Sequence, residues 1–206
     1  MHNYTYESKN KKESLEQYEW DNVWWENADV SGADRVLYIG DSISCETRRY
    51  ANQLAGGDVF FDGLGTSKAL DNPHFFSTIR LFAEQQRERK VILFNNGLHG
   101  WHLSDGEEYG KLYESMITFL MKEFPSVPIV LLLTTSVADG ERDGRVVKRN
   151  QAVKAIAEKY GLETVDFYSI VNKNKNLLSE DGVHLIASGY TLLAEAVIKK
   201  VKEIIR

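Results

Sequence analysis

Four polar stretches hold the side chains of this sequence that could do covalent chemistry. Gly40-Asp41-Ser42 closes one apolar run, Gly63-Leu64-Gly65-Thr66-Ser67 a second, and Asn95-Asn96-Gly97-Leu98-His99 a third; the fourth, Ser179 to Tyr190, holds Asp181 and His184. This set suits acyl transfer. A serine hydroxyl becomes a useful nucleophile when an imidazole takes its proton, and an aspartate can fix the imidazole tautomer and stabilise the imidazolium. Ser42 at a helix start would sit beside free backbone N–H groups, which favour negative charge. Gly65 has no Cβ, so its N–H can approach the same point closely. Donors aimed at a developing oxyanion are often the largest catalytic term, about 3–4 kcal/mol for each one removed.

The third stretch continues into Gly100-Trp101-His102, so two histidines flank a tryptophan. On residue types alone they are candidates for a base, for metal ligands or for ordinary loop residues. Asp181 stands three residues before His184, which makes His184 the better base. Asp105, Glu107 and Glu108 lie nearby, but the order lacks the helical His-Glu-x-x-His arrangement of a metalloprotease. We expect no metal and no cofactor. Cys45 reads as a small buried apolar group. As the single cysteine it leaves no intramolecular disulfide framework and no thiolate-based zinc site. His74, in Asp-Asn-Pro-His-Phe-Phe, reads as a helix-start residue. There is neither a Gly-x-Ser-x-Gly elbow nor a Walker-type phosphate loop.

The elements that must position these residues follow from the hydrophobic pattern. Short apolar runs at Arg35–Gly40, Asp58–Gly63, Val91–Asn95, Pro128–Thr134 and Glu163–Ser169 read as strands. Val91–Phe94 and Ile129–Leu133 are apolar at every position, as expected of strands covered on both faces. Amphipathic segments lie between them. They start at Ser42, run from Gly106 to Pro125, span Val146 to Gly161, and begin again near Ser188. Such alternation implies βαβ units, and hence a single α/β domain with a parallel sheet between two helical layers, an α/β/α sandwich. In open parallel sheets ligands gather outside the carboxyl ends of the strands, where the polar stretches fall.

At this point the chain resembles the SGNH/GDSL hydrolases, over most of Arg35 to Arg206. Val36-Leu37-Tyr38-Ile39-Gly40-Asp41-Ser42 looks like that family's first block, which makes Ser42 the nucleophile. Asp62-Gly63-Leu64-Gly65-Thr66-Ser67 resembles the second block, whose glycine lends an N–H to the oxyanion hole; that falls on Gly65. Asp181-Gly182-Val183-His184 is close to the last block and implies Asp181 and His184 as the other triad members, with Leu185 in place of the usual proline. The resemblance also implies a flavodoxin-like sheet of five parallel strands. The third block departs from the usual Gly-x-Asn-Asp. Aligning Gly97 on the family glycine puts His99 at the asparagine position, whereas sliding the loop lets Asn96 or Asn95 supply the amide. Either an amide or an imidazole N–H can serve as the third donor.

The implied activity is serine-dependent ester hydrolysis through an acyl-enzyme, with removal of acetyl groups from a carbohydrate as the leading substrate reading. Lipase, thioesterase or O-acyltransferase activity with the same triad is the alternative, Phe75, Phe76 and Leu103 being candidates to line a longer acyl site. An inactive glycan-binding module ranks third. Residues 1–33, which hold three of the four tryptophans, read as an aromatic-rich extension packed on a hydrolase domain at 34–206. Trp24 or Trp25 is a candidate wall for a sugar.

Composition excludes other classes. The apolar fraction of 43% and charged fraction of 27% are ordinary for a globular chain. A net charge of -5 and a pI near 5.6 argue against a nucleic-acid partner. The short basic clusters at 9–12 and 87–90 lie beside acids and read as solvated surface. No run is long enough for a membrane span. The start is polar and lacks a signal-peptide core. Location is therefore expected to be cytoplasmic, or secreted or periplasmic if a signal was removed ahead of it. The partner expected is a small-molecule or glycan ester, and oligomeric state is not legible.

Overall fold

The computed structural model describes residues 14–85 and 88–206. The basic cluster at 9–12, Arg87 and the first part of the N-terminal extension lie outside the described residues. The described chain forms six strands, six α-helices and a short 3-10 helix. The strands are β1 (Asp21–Trp24), β2 (Asp34–Gly40), β3 (Val59–Thr66), β4 (Val91–Phe94), β5 (Ile129–Leu132) and β6 (Glu163–Val165). The α-helices are α1 (Ser42–Ala55), α2 (Phe75–Gln85), α3 (Gly106–Glu123), α4 (Gly140–Tyr160), α5 (Phe167–Lys173) and α6 (Ala187–Ile204). Strand order is β1-β3-β2-β4-β5-β6. All neighbours pair in parallel except β1, which lies antiparallel on β3.

The five strands expected from the apolar runs are the five parallel ones. Their alternating side chains feed two cores, as a doubly covered sheet requires. Val36, Tyr38, Leu93 and Val130 pack with Ala51 of α1 and with Leu193 and Val197 of α6. Leu37, Ile39, Ile92 and Leu131 pack with Ile79 of α2, Met116 and Leu120 of α3, and Ile156 of α4.

The structure differs from expectation in four places. First, the sheet has a sixth strand, drawn from the N-terminal extension. Asp21–Trp24 carries β-favouring Val and Trp with little apolar periodicity, since an edge strand exposed along its length needs none. The turn that follows is fastened from below: Arg35 donates to the carbonyls of Glu26, Asn27 and Val30 and pairs with buried Asp62 at 2.9 Å. Second, β3 runs on to Thr66, paired with β2 as far as Gly65 and with β1 from Gly63 to Thr66. Third, the apolar run from Glu163 stops being a strand at Val165. The Asp166 side chain accepts from the Ser169 N–H and caps α5. Fourth, α4 starts earlier than Val146, at Gly140, capped by Asp139.

Glycines let α1 lie close on β3. A Cβ at Gly63 would fall 2.3 Å from Arg48 Nη1, and one at Gly65 only 2.1 Å from Cys45 Sγ. Overpacking of this kind costs about 1–3 kcal/mol. Gly65→Ala should therefore lower the thermal midpoint, and adding Cys45→Ala should recover most of the loss. Equal melting of the single and double variants would refute the contact.

Candidate active site

Gly40 ends β2 and Asp41 turns the chain into α1. The Asp41 carboxylate accepts from the N–H groups of Ile43 and Ser44 at 3.0 and 3.3 Å, a standard N-cap. Ser42, the first helical residue, is thereby placed at the positive end of α1, at the carboxyl edge of the sheet. Its Oγ lies 2.8 Å from His184 Nε2. His184 Nδ1 lies 2.6 Å from Asp181 Oδ2. The three residues that the first and last blocks singled out thus form one hydrogen-bonded chain.

The loop carrying Asp181 and His184 is built around the aspartate. Asp181 Oδ1 accepts from Ser179 Oγ and from the N–H groups of Val183 and His184. Gly182, at a φ of 72°, turns the loop so that its carbonyl accepts from the Ala138 N–H, just ahead of α4. Leu185, where the family has proline, is buried and bridges Leu178. Partial burial alone would raise the Asp181 carboxyl, but the hydrogen bonds from Val183, His184 and Ser179 outweigh it. They hold the group well below the usual carboxylate range. It therefore stays anionic, as a partner for an imidazolium must.

The candidate oxyanion donors are arranged less simply. Ser67 N–H donates to the Trp20 carbonyl, so antiparallel alternation makes Gly65 and Asn22 a hydrogen-bonded pair. The Gly65 N–H is thus turned towards β1, and what this glycine gives the site is space beside Cys45. Asn95 is also spent: its Nδ2 donates to the Leu132 carbonyl at 2.6 Å and to Thr134 Oγ1 at 3.1 Å. Asn96 uses one amide hydrogen on the Lys68 carbonyl at 2.8 Å, which ties its loop to the one after β3. Its second amide hydrogen is left for another acceptor, and its Oδ1 is buried with no partner among the described residues. His99 is buried, with Nδ1 at 2.9 Å from Glu16 Oε2.

The two histidines of this loop are anchors to neighbouring segments. His102 Nε2 meets Asp71 Oδ2 at 2.9 Å, while Glu16 binds His99 and also accepts from the Gly100 N–H. Underneath, Arg149 of α4 is 2% exposed. It donates to the carbonyls of Gly97, His99, Gly100 and Leu103 at 2.7–3.1 Å. Its neighbour Asn150 holds both the N–H and the carbonyl of Thr134.

Some sequence expectations fall elsewhere. Trp25 stacks on Phe82 of α2 at 4.4 Å, and Trp24 lies opposite Gly63, back along the sheet from Ser42. Of the three tryptophans ahead of β2, the one that reaches the loops is Trp20, edge-on to His99 at 5.9 Å. Phe75 and Leu103 are core residues and Phe76 stacks on Phe119 of α3, so these three line no acyl channel. His74 does precede α2, its N–H held by Asn72 Oδ1. Cys45 is half-buried, and desolvation pushes its thiol up to about 11. Nothing in the local sequence pattern marks Glu16 or Asp71 as partners of His99 and His102. A signal existed for Arg149: with Asn150 it interrupts the stripe of Val146, Val153 and Ala157 on α4.

No family model and no curated protein matches the sequence. Many solved structures match the fold. An acetyl xylan esterase superposes with a TM-score of 0.65 at 17% identity, over 81% of this chain and 99% of its own. A GDSL-like lipase from Bacteroides thetaiotaomicron VPI-5482 gives 0.68 at 15% identity, over 84% and 90%. The C-terminal catalytic domain of Streptococcus pneumoniae peptidoglycan O-acetyltransferase A, with a methylsulfonyl adduct, gives 0.65 at 16% identity, over 84% and 94%. The class defined by the architecture is therefore the α/β/α sandwich. More particularly, the chain has the SGNH/GDSL hydrolase fold.

Removing the Arg149 guanidinium would strand several buried carbonyls, at about 1–3 kcal/mol each. Arg149→Met should lower unfolding free energy by more than about 3 kcal/mol. Chemical denaturation checks this, and a loss under about 1 kcal/mol would show that the loop holds without it.

Proposed function

We propose that this protein is a serine esterase that removes short acyl groups, acetyl foremost, from a carbohydrate ester. The observation that carries the reading is the unbroken chain from Ser42 Oγ through His184 to Asp181. In it, His184 Nε2 takes the hydroxyl proton as Oγ bonds to the ester carbonyl carbon. The carbonyl oxygen becomes an oxyanion beside the N-terminus of α1. Collapse breaks the bond to the alcohol, which leaves with the proton from His184, and an acyl-Ser42 ester remains. Water then repeats the sequence, its proton going to His184 and back to Ser42 as the carboxylic acid departs. The Ser42 N–H and the second amide hydrogen of Asn96 are the proposed oxyanion donors, with His99 beside them.

The short acyl group is favoured because Phe75, Phe76 and Leu103 are used up in packing. Acetyl and sugar are favoured by what the similar structures are named for, an acetyl xylan esterase and an acetyl esterase among them.

Purified protein should hydrolyse p-nitrophenyl acetate faster than the octanoate ester. Ser42→Ala should abolish that rate while folding normally, and Asp181→Asn should lower kcat by about 10⁴-fold. Undiminished turnover in Ser42→Ala would refute the mechanism. An acetate-release screen over acetylated polysaccharides then identifies the carbohydrate.

The pH profile supplies a separate check. Neutral His184 is the active form, and Asp181 remains anionic through the acid range because its carboxyl is held low. The acid limb of log kcat/KM should therefore have a slope of about one. A slope near two would show that Asp181 does not stay anionic over that range.

A further inference from the structure

We infer that Glu16 is a positioning residue for the esterase reaction: through His99 it fixes a third donor of the oxyanion hole. This rests on the proposed function. The segment ahead of β1 crosses the carboxyl edge of the sheet and touches both loops that flank Ser42. Glu19 accepts from Ser67 Oγ at 2.8 Å, and the Trp20 carbonyl accepts from the Ser67 N–H. Trp20 packs edge-on against His99, and Glu16 binds His99 Nδ1 with both carboxylate oxygens at 2.9–3.0 Å. Side-chain exposure is 8% for His99 and 3% for Glu16, so this is a built contact rather than a surface ion pair.

The chemistry follows from the two ring nitrogens. A carboxylate on Nδ1 requires a proton there. His99 Nε2 has no hydrogen-bond partner among the described residues and is not among the sealed polar atoms. In the neutral ring Nε2 is then a bare acceptor, which would repel an oxyanion. Only the imidazolium carries N–H on both nitrogens. His99 can serve as a donor, therefore, only while Glu16 keeps it protonated.

The groups around the ring favour that state. Burial disfavours the cation, but the Glu16 hydrogen bond and charge outweigh it and raise the His99 pKa, with Asp41 and Glu19 adding to the effect. Glu16 and Glu19 come from the N-terminal segment and Asp41 from the head of α1. Arg149 of α4, the opposing cation, spends its donors on backbone carbonyls, that of His99 included. The sign is then fixed: the donor is present below the His99 pKa and lost as pH rises through it.

The test is kcat and KM for p-nitrophenyl acetate across the pH range, with the thermal midpoint recorded for each variant. Wild type should show an alkaline limb in kcat. Glu16→Gln should abolish that limb, because its amide can donate to Nδ1 and leave N–H on Nε2 of a neutral ring, and should reduce kcat at the wild-type optimum by about tenfold as the cationic donor is lost, with KM within about twofold. Glu16→Asp should restore part of the rate. In a His99→Leu background, Glu16→Gln should change kcat by less than about twofold, because the two act as one unit. A Glu16→Gln enzyme with wild-type kcat and profile would overturn the inference, as would an equal penalty with and without His99. Should Glu16→Gln fail to fold, the wild-type profile decides, and a flat alkaline side overturns the inference. If wild type neither hydrolyses the ester nor labels at Ser42 with a fluorophosphonate, the proposed function falls first and this inference with it.

Discussion

One buried cation sets the working edge of this molecule. Arg149 rises from α4 and donates to four carbonyls of the loop after β4. That loop has little regular structure of its own and would otherwise leave those oxygens dry and unpaired, a cost comparable to several lost hydrogen bonds. With the guanidinium in place, those oxygens are paired. Asn96 is then held against the neighbouring loop, and His99 and His102 are set to meet carboxylates from two other segments. Asn150, one residue on, does the same for the end of β5. A helix whose face should be apolar thus spends two positions on backbone groups of the functional edge.

The sequence made the parallel sheet and the serine, histidine and aspartate legible for a physical reason. Strands covered on both faces must be apolar throughout, as Val91–Phe94 and Ile129–Leu132 are, and the three hydrogen-bonded residues lie in short turns whose local geometry is nearly self-contained. Asp41 caps α1 and Asp181 folds its own loop, each within three residues. What was not legible depends on partners distant in the chain. The edge strand shows no core-facing alternation, because it is defined by what β3 leaves unpaired rather than by its own pattern. The role of Gly65 turned on which neighbour its N–H faces, and that is set by Trp20 and Asn22. The loop histidines were ambiguous because Glu16 and Asp71 lie 83 and 31 residues away from them.

This division bears on how the N-terminal segment is viewed. Read as sequence, it is an extension placed before a complete domain. In the structure its residues from Glu16 onward supply a carboxylate to one loop, a carbonyl to another and a strand to the sheet. The tryptophans there serve different ends: Trp25 is packing, Trp24 is exposed edge, and Trp20 is the contact to His99.

The antiparallel strand has a further consequence, for the behaviour of the folded chain in crowded solution. Without β1, the long and fully buried β3 would end the sheet in a row of open backbone groups, an invitation to strand exchange with a second molecule. Trp24 and Val23 are exposed along the covering strand, but that strand is four residues long and starts at Asp21, which is paired to Lys68. The opposite edge is shorter still: β6 has three residues, and Lys200 reaches across to Glu163 at its first position. The sheet thus ends on both sides in brief, charge-marked strands, and ahead of β1 the Asn52 side chain holds the Phe61 N–H and carbonyl, devices of the kind that disfavour edge-to-edge pairing.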